Sequence, residues 1–197
     1  MKKTLLLSFS LITIILTSCH STKFTHSGNV NSRLNLMKGK WLLNRIDAPL
    51  GVRYDLNEIV VKEFRSMFGD RFLVINTTSG ILTPDNISNN PSKAVLSDIK
   101  NGTGYDFLIN ISVKIIADEI QILELGGRDI SADNKGEVIV DIYDLNLLEK
   151  SYSHSVTGKV YATKNSQDVV FTKTTKMIII SGFEKIIKKI KRNQIED

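Results

Sequence analysis

The chain has 197 residues, of which 42% are apolar and 24% are charged. These are the proportions of one soluble globular domain, and they exclude a disordered or multiply membrane-spanning protein. The 26 Lys and Arg residues exceed the 21 Asp and Glu residues too little to indicate a nucleic-acid partner. Cys19 is the only cysteine, which excludes an intrachain disulfide and a thiolate metal cluster.

The amino-terminal segment has the anatomy of a signal peptide. Lys2 and Lys3 supply a positive charge, residues 4–17 form an apolar run, and polar residues follow from His20 onward. A membrane-spanning helix needs roughly 20 apolar residues, so a permanent anchor helix is disfavoured. We predict that residues 1–18 are removed.

The apolar run ends in Leu16-Thr17-Ser18-Cys19, which resembles the lipobox of bacterial lipoproteins. The resemblance implies cleavage before Cys19, a diacylglyceryl group on its sulfur, and acylation, such as palmitoylation, of the new amino group. Several acyl chains anchor a protein stably, because one chain alone binds a bilayer only marginally. Residue 20 is not the aspartate of the inner-membrane retention signal, which favours the outer membrane and a domain facing the periplasm. The alternatives are an ordinary secretory signal with a chance cysteine and a cytosolic protein with an apolar amino terminus.

Residues 19–38 are predicted to form a flexible tether from lipidated Cys19. They are polar and show neither helical nor strand periodicity. His20 and His26 fall in this segment and are interpreted as solvated linker residues. A single folded domain is predicted over residues 39–197.

From residue 39 the sequence alternates between strand-like and helix-like segments. Asp55 is predicted to cap the first helix, Pro91 and Ser92 to open the second, and Gly104 to end it. The predicted strands are 41–46, 71–76, 105–113, 119–125, 137–143 and 150–161, and the predicted helices are 56–68, 91–101 and 174–192. This order predicts an α/β (α+β) fold, with a mixed sheet of about five strands covered by three helices.

Four segments carry a resemblance to a known group of proteins: 104–109 (GYDFLI), 138–145 (VIVDIYDL), 155–158 (SVTG) and 180–187 (ISGFEKII). They resemble periplasmic α/β lipoproteins and domains such as the curli-secretion channel CsgG, the penicillin-binding-protein activator LpoB and the amino-terminal domain of TolB. The turn at 146–148 lacks the glycine usual in that group. Asp118, Glu119 and Glu124 disfavour a transmembrane hairpin, so the resemblance implies a soluble adaptor rather than a pore.

Candidate catalytic and metal-binding residues are few. Beyond the predicted tether His154 is the only histidine, so it is interpreted as a structural or surface residue rather than part of a zinc site or triad. Asp141 and Asp144 have the chemistry of a calcium site or a carboxylate pair, but residues three apart on a strand point to opposite faces. Residues 126–129 (GGRD) indicate a turn, not a phosphate-binding loop. We predict no catalytic residue, no cofactor and no metal.

Basic residues are concentrated near the carboxyl end, on the outer side of the closing helix. A solvated face explains them, and contact with anionic lipid heads or peptidoglycan is the alternative. These residues are Lys185, Lys188, Lys189, Lys191 and Arg192.

The anchor and the scarcity of catalytic residues predict a non-catalytic binding or adaptor module in envelope assembly or secretion. It would be held on the bilayer by Cys19 and would bind an envelope protein or peptidoglycan. Two other hypotheses stay open. One is an enzyme that uses Asp and Ser/Thr residues on the loops 77–90 or 126–136, and the other is a ring of identical copies in a secretion system.

Overall fold

The computed structural model describes residues 22–75, 87–118, 133–161 and 174–195. These residues form one six-stranded mixed sheet and three α-helices, which confirms the predicted α+β class with six strands instead of about five. The strands are β1 (Lys23–Gly28), β2 (Trp41–Leu43), β3 (Phe72–Val74), β4 (Phe107–Ala117), β5 (Asp133–Asp144) and β6 (Glu149–Tyr161). The helices are α1 (Leu50–Phe68), α2 (Lys93–Thr103) and α3 (Thr175–Arg192).

The strand order across the sheet is β1-β6-β5-β4-β2-β3. β2 lies parallel to both β3 and β4, and the chain crosses between these parallel strands through helices, as parallel pairing requires. β4, β5 and β6 form an antiparallel meander, and β1 adds to the outer edge of β6. β1 pairs with β6, and α3 packs on β5 and β6. The first and last described elements of the fold, β1 and α3, are therefore neighbours.

The helices cover the two faces of the sheet unequally. α1 and α3 pack on one face, where Phe64 of α1 lies edge-on to Phe183 of α3 at 6.2 Å between ring centroids. α2 packs on the other face, over a smaller cluster that includes Leu42 and Leu108. Alternation along β2 and β4 supplies side chains to both layers, since Leu43 and Ile109 belong to the larger cluster and Leu42 and Leu108 to the smaller one.

The ends of two helices test the predicted caps. Ser92 does cap α2, since its hydroxyl accepts from the backbone N–H of Val95 at 3.4 Å, and Gly104 ends the helix in the left-handed conformation. α1 begins at Leu50, directly after Pro49, so the prediction that Asp55 caps it is wrong. Proline has the fixed φ that suits a helix start, and Asp55 lies inside the helix instead.

The predicted flexible tether over residues 19–38 is wrong for much of its length. Residues 23–28 are strand β1, in continuous register with residues 154–159 of β6. Leu36 is only 4% exposed and belongs to the main core. Because β1 is an edge strand in which only Phe24 is partly buried, it has no alternating apolar pattern to reveal it. The folded domain therefore begins by Lys23, not at residue 39.

Several predictions concern residues outside the described ranges. These are the signal peptide over 1–18, Cys19 and His20, the predicted strand at 119–125, the turn at 126–129, and most of the loops 77–90 and 126–136. Within the described ranges, no helix combines the length and apolar character needed to cross a bilayer.

Candidate functional site

A groove of about 410 Å³ lies between β1 and α3, and we call it the basic groove. Its size falls in the range of roughly 300–1,000 Å³ typical of small-molecule sites. Apart from the apolar Val30, every residue that lines it is a histidine or a permanent cation. The lining residues are His26, Val30, Lys185, Lys188, Lys189 and Arg192.

The four cations converge because of their spacing along α3. Residues separated by three, four and seven positions share one face of a helix. The opposite face of α3 is buried against the sheet through residues such as Phe183 and Ile186, each 0% exposed. This burial agrees with the prediction that the basic residues lie on the outer side of the closing helix. The cationic stripe consequently lies along the border of the helix that faces β1.

Carboxylates do not neutralise this stripe within the described residues. Lys188, Lys189 and Arg192 form no ion pair there. The Nζ atom of Lys185 instead lies 4.7 Å from the ring centre of Phe24, a cation–π contact. Like charges three and four positions apart destabilise a helix, whereas the dipole at the carboxyl end favours cations there. An anion bound in the groove would relieve the repulsion.

Beneath the groove, two histidines from distant parts of the chain are hydrogen-bonded. His26 Nδ1 lies 2.9 Å from His154 Nε2, and His154 Nδ1 lies 3.0 Å from the hydroxyl of Tyr152. His154 is 0% exposed and Tyr152 is 1% exposed. His26 is exposed, as interpreted, but it lies in strand β1 and not in a linker, and the structural interpretation of His154 agrees with its burial. The contact between His26 and His154 depends on β1, which pairs with β6 and so brings His26 next to His154 at the edge of the sheet.

The direction of these hydrogen bonds follows from the donors that must be satisfied. Within the described residues the hydroxyl of Tyr152 has one partner, His154 Nδ1, so the hydroxyl donates and Nδ1 accepts. His154 then carries its proton on Nε2 and donates it to His26 Nδ1. His26 is left with its own proton on Nε2, at the groove. With this tautomer assignment, His26 presents a neutral donor beside the cations of the groove.

The protonation equilibria agree with a neutral chain of groups. Burial, followed by the positive fields of His26 and Lys189, lowers the pKa of His154 to about 4. Burial and then the charges of Lys185 and Lys189 lower the pKa of His26. Burial raises the pKa of Tyr152 to about 12. Near neutral pH both imidazoles are uncharged and the phenol keeps its proton.

The other side of α3 is charge-balanced. A depression of about 260 Å³ there is lined by Glu63, Glu184, Ile187, Lys188 and Lys191. Lys191 Nζ lies 2.7 Å from a carboxylate oxygen of Glu63. Lys176 similarly pairs with Asp55 of α1. Lys188 borders both hollows, whereas Lys191, which was grouped with the other cations in the sequence analysis, pairs with Glu63 and does not line the basic groove.

Asp141 and Asp144 do not form a shared site. Asp141 is 9% exposed and its Oδ2 accepts from Lys150 Nζ at 2.8 Å. Asp144 Oδ1 accepts from two backbone N–H groups of the following turn, at 2.8 and 3.1 Å. Within the described part of the chain, no cluster of three or more His, Cys, Asp and Glu side chains is arranged to hold a metal ion.

Comparison with known proteins places the chain near several solved structures at low identity. No family model and no curated protein matches it. The PelC dodecamer from Paraburkholderia phytofirmans is similar with a TM-score of 0.48 and 10% identity, over 89% of this chain and 100% of that one. Lipoprotein GNA1162 from Neisseria meningitidis is similar with a TM-score of 0.38 and 9% identity, over 66% and 88% of the two chains.

The LpoB C-terminal domain from Escherichia coli is also similar, with a TM-score of 0.33 and 12% identity, over 64% of this chain and 83% of that one. LpoB is one of the proteins in the resemblance drawn from the sequence. All three TM-scores lie below 0.5, so no ligand, partner or assembly is carried over from these proteins to this chain.

Proposed function

We propose that this chain is a lipoprotein of the bacterial envelope, anchored to the outer membrane through acylated Cys19 and facing the periplasm. Its α+β domain is a non-catalytic module that binds an anionic component of the envelope. Acidic proteins, peptidoglycan and anionic lipids are the candidate components. The observation that carries the proposal is the basic groove, whose cations have no carboxylate partner among the described residues.

The chemistry of the groove supports binding rather than catalysis. Ammonium and guanidinium groups donate hydrogen bonds and accept none, and the exposed nitrogen of His26 is also a donor. General acid–base catalysis needs a group that can both give and take a proton near neutral pH. The nearest candidates, His26 and His154, are uncharged there and occupied with each other. What the groove offers a ligand is a set of donors.

The position of β1 brings the groove close to the proposed anchor. Lys23 begins β1 four residues after Cys19. A fully extended chain advances about 3.5 Å per residue, so the two Cα atoms lie no more than about 14 Å apart. An acylated Cys19 would hold the domain against the membrane surface rather than at the end of a long tether.

The anchor is tested by metabolic labelling with an alkyne analogue of palmitate and by fractionation of envelopes. We expect the wild-type chain to be labelled and recovered in outer membranes, and the Cys19→Ala variant to be unlabelled and released. A labelled Cys19→Ala variant, or an unlabelled wild-type chain, would contradict the anchor.

The binding module is tested by recovering envelope components with the wild-type chain and with a Lys189→Glu/Arg192→Glu variant. We expect a component to copurify with the wild-type chain and to be lost from the variant, because reversing two charges repels the anion. Equal recovery with both proteins would show that the basic groove does not bind it.

A further inference from the structure

We propose that the basic groove holds the phosphate of an anionic phospholipid headgroup, so that the domain docks on the bilayer that carries the Cys19 anchor. This inference rests on the proposed function, and it narrows the anionic component to one chemical class. The donor set of the groove fits a phosphate, and its apolar surroundings and its position on the fold favour a lipid over a soluble polyanion.

The donor set fits a phosphate. Three ammonium groups, one guanidinium and the Nε2–H of His26 surround a single groove. Phosphate offers several acceptor oxygens at tetrahedral angles, and the planar fork of arginine binds two of them at once. His26 is held in place from below by His154, so its donor is oriented before a ligand arrives. No carboxylate lines the groove among the described residues to compete for these donors.

The apolar surroundings fit a lipid. Val30 lines the groove, and the ring of Phe24 lies against Lys185 at its edge. Both apolar side chains are half-buried, so part of each faces solvent. A headgroup is attached to glycerol and acyl chains that can cover these side chains, whereas a soluble sugar phosphate gains nothing from them. The stem of Lys185 adds further apolar surface beside its charge.

The position of β1 on the fold puts the groove close to the proposed anchor. Phe24 and His26 belong to the strand that begins within about 14 Å of Cys19. Attractive potentials of an anionic bilayer extend about one Debye length, roughly 8 Å at physiological salt. Anchoring also turns headgroup binding into an intramolecular event at high effective concentration, so a modest intrinsic affinity is enough.

The test uses the mature chain, residues 19–197, with Cys19→Ser, which has no acyl group and retains every described element of the fold. Its partition onto vesicles is measured by co-sedimentation at about 0.15 M salt, which is near physiological ionic strength. One set of vesicles is pure phosphatidylcholine, and the other contains phosphatidylcholine and phosphatidylglycerol. We expect binding only when phosphatidylglycerol is present. Each cation near an anionic surface contributes about fivefold, so Lys189→Gln/Arg192→Gln should lower the partition coefficient about 25-fold.

The matched control is Lys176→Gln/Lys191→Gln, which removes the same charge from the α1 side of the same helix. We expect it to lower partition less than about threefold, because screening weakens charges that do not contact the surface. An equal loss from both pairs would overturn the groove as the site. All variants change exposed or half-exposed side chains, and their thermal unfolding is measured alongside.

Two further arms separate a lipid from other sources of anions. Glycerol phosphate is titrated into the same chain, and isolated peptidoglycan sacculi are used in a parallel pull-down. Binding to either one without binding to phosphatidylglycerol vesicles would overturn the lipid assignment while leaving the proposed binding module standing. Failure of Cys19 labelling would overturn the anchor and leave the vesicle result unaffected, because the assayed chain has no acyl group.

Discussion

Both sides of α3 carry lysines, but the lysines are paired with carboxylates on one side only. On the side facing α1, Lys176 and Lys191 pair with Asp55 and Glu63. On the side facing β1, Lys189 and its neighbours meet a histidine and apolar side chains. The helix sequence alone does not distinguish these sides. What distinguishes them is the neighbouring element, because α1 supplies carboxylates and β1 does not.

The largest expected effect is a loss of stability in acid, caused by protonation of His154, the buried histidine beneath the basic groove. His154 has a pKa of about 4 in the fold, and a histidine of the unfolded chain titrates near 6.5. Between these values the unfolded chain binds more protons, so the free energy of unfolding falls as the pH is lowered through that window. The contribution is fully present above about pH 6.5 and amounts to about 3 kcal/mol lost by pH 4.

Urea unfolding of the wild-type chain and of a His154→Leu variant at several pH values measures this term. Carboxylates titrate in both proteins, so the difference between their pH profiles isolates the histidine. A variant that loses as much stability on acidification as the wild-type chain would show that His154 is not the acid-sensitive group.

Gly158 of β6 tests how closely α3 and β1 pack on the sheet. A Cβ atom at this position of β6 would collide with Ile178 of α3 and lie 2.8 Å from a ring carbon of Phe24. Gly158→Ala should therefore destabilise the fold by about 1–3 kcal/mol, since an overpacked core must shift α3 and β1 apart. Gly51→Ala in α1 is the matched control, because nothing lies within 4 Å of its Cβ position.

We expect Gly51→Ala to stabilise the fold by about 0.5–1 kcal/mol, because alanine is the better helix former. Urea unfolding reports both values. Two alanine variants of equal stability would contradict the close approach of α3 and β1 at Gly158.

The smallest expected effect concerns single lysines of α3, whose removal should change the free energy of unfolding in opposite directions on the α1 side and the β1 side. Lys191→Gln should lower the free energy of unfolding by about 0.2–1 kcal/mol, because it removes an exposed ion pair with Glu63. Lys189→Gln should raise it by about 0.2–0.5 kcal/mol, because it relieves repulsion within the cationic stripe. Unfolding at low and high salt measures both, and the difference should fade with salt. The same sign for both variants would refute the asymmetry.

Local patterns in the sequence predicted much of the fold. The spacing of apolar residues in α3, the serine that opens α2 and the alternating residues of β5 each specify an element through contacts within a few positions. The predicted start of α1 is wrong because Asp55 has the chemistry of a cap while Pro49 has the backbone conformation of a helix start. A local rule favoured the wrong residue.

The sequence indicated the cations of the candidate site but not its histidine and tyrosine. Cations at positions 185, 188, 189 and 192 recur with helical spacing, and that signal was sufficient to place them on one face. The same pattern did not separate Lys191, whose partner Glu63 lies 128 positions away. His26 and Tyr152 were missed because neither has a local signal of function, and His26 lies in a segment that resembles a linker.

By itself, the sequence determined the α+β class, the amphipathic helices and the prediction of lipidation at Cys19, because each depends on residues close together in the chain. Only the tertiary structure decided that residues 23–28 are a strand, that His26 meets His154, and that a groove of donors lies between β1 and α3. An edge strand takes its stability from the hydrogen bonds of its neighbour rather than from its own apolar pattern, so β1 became visible only beside β6.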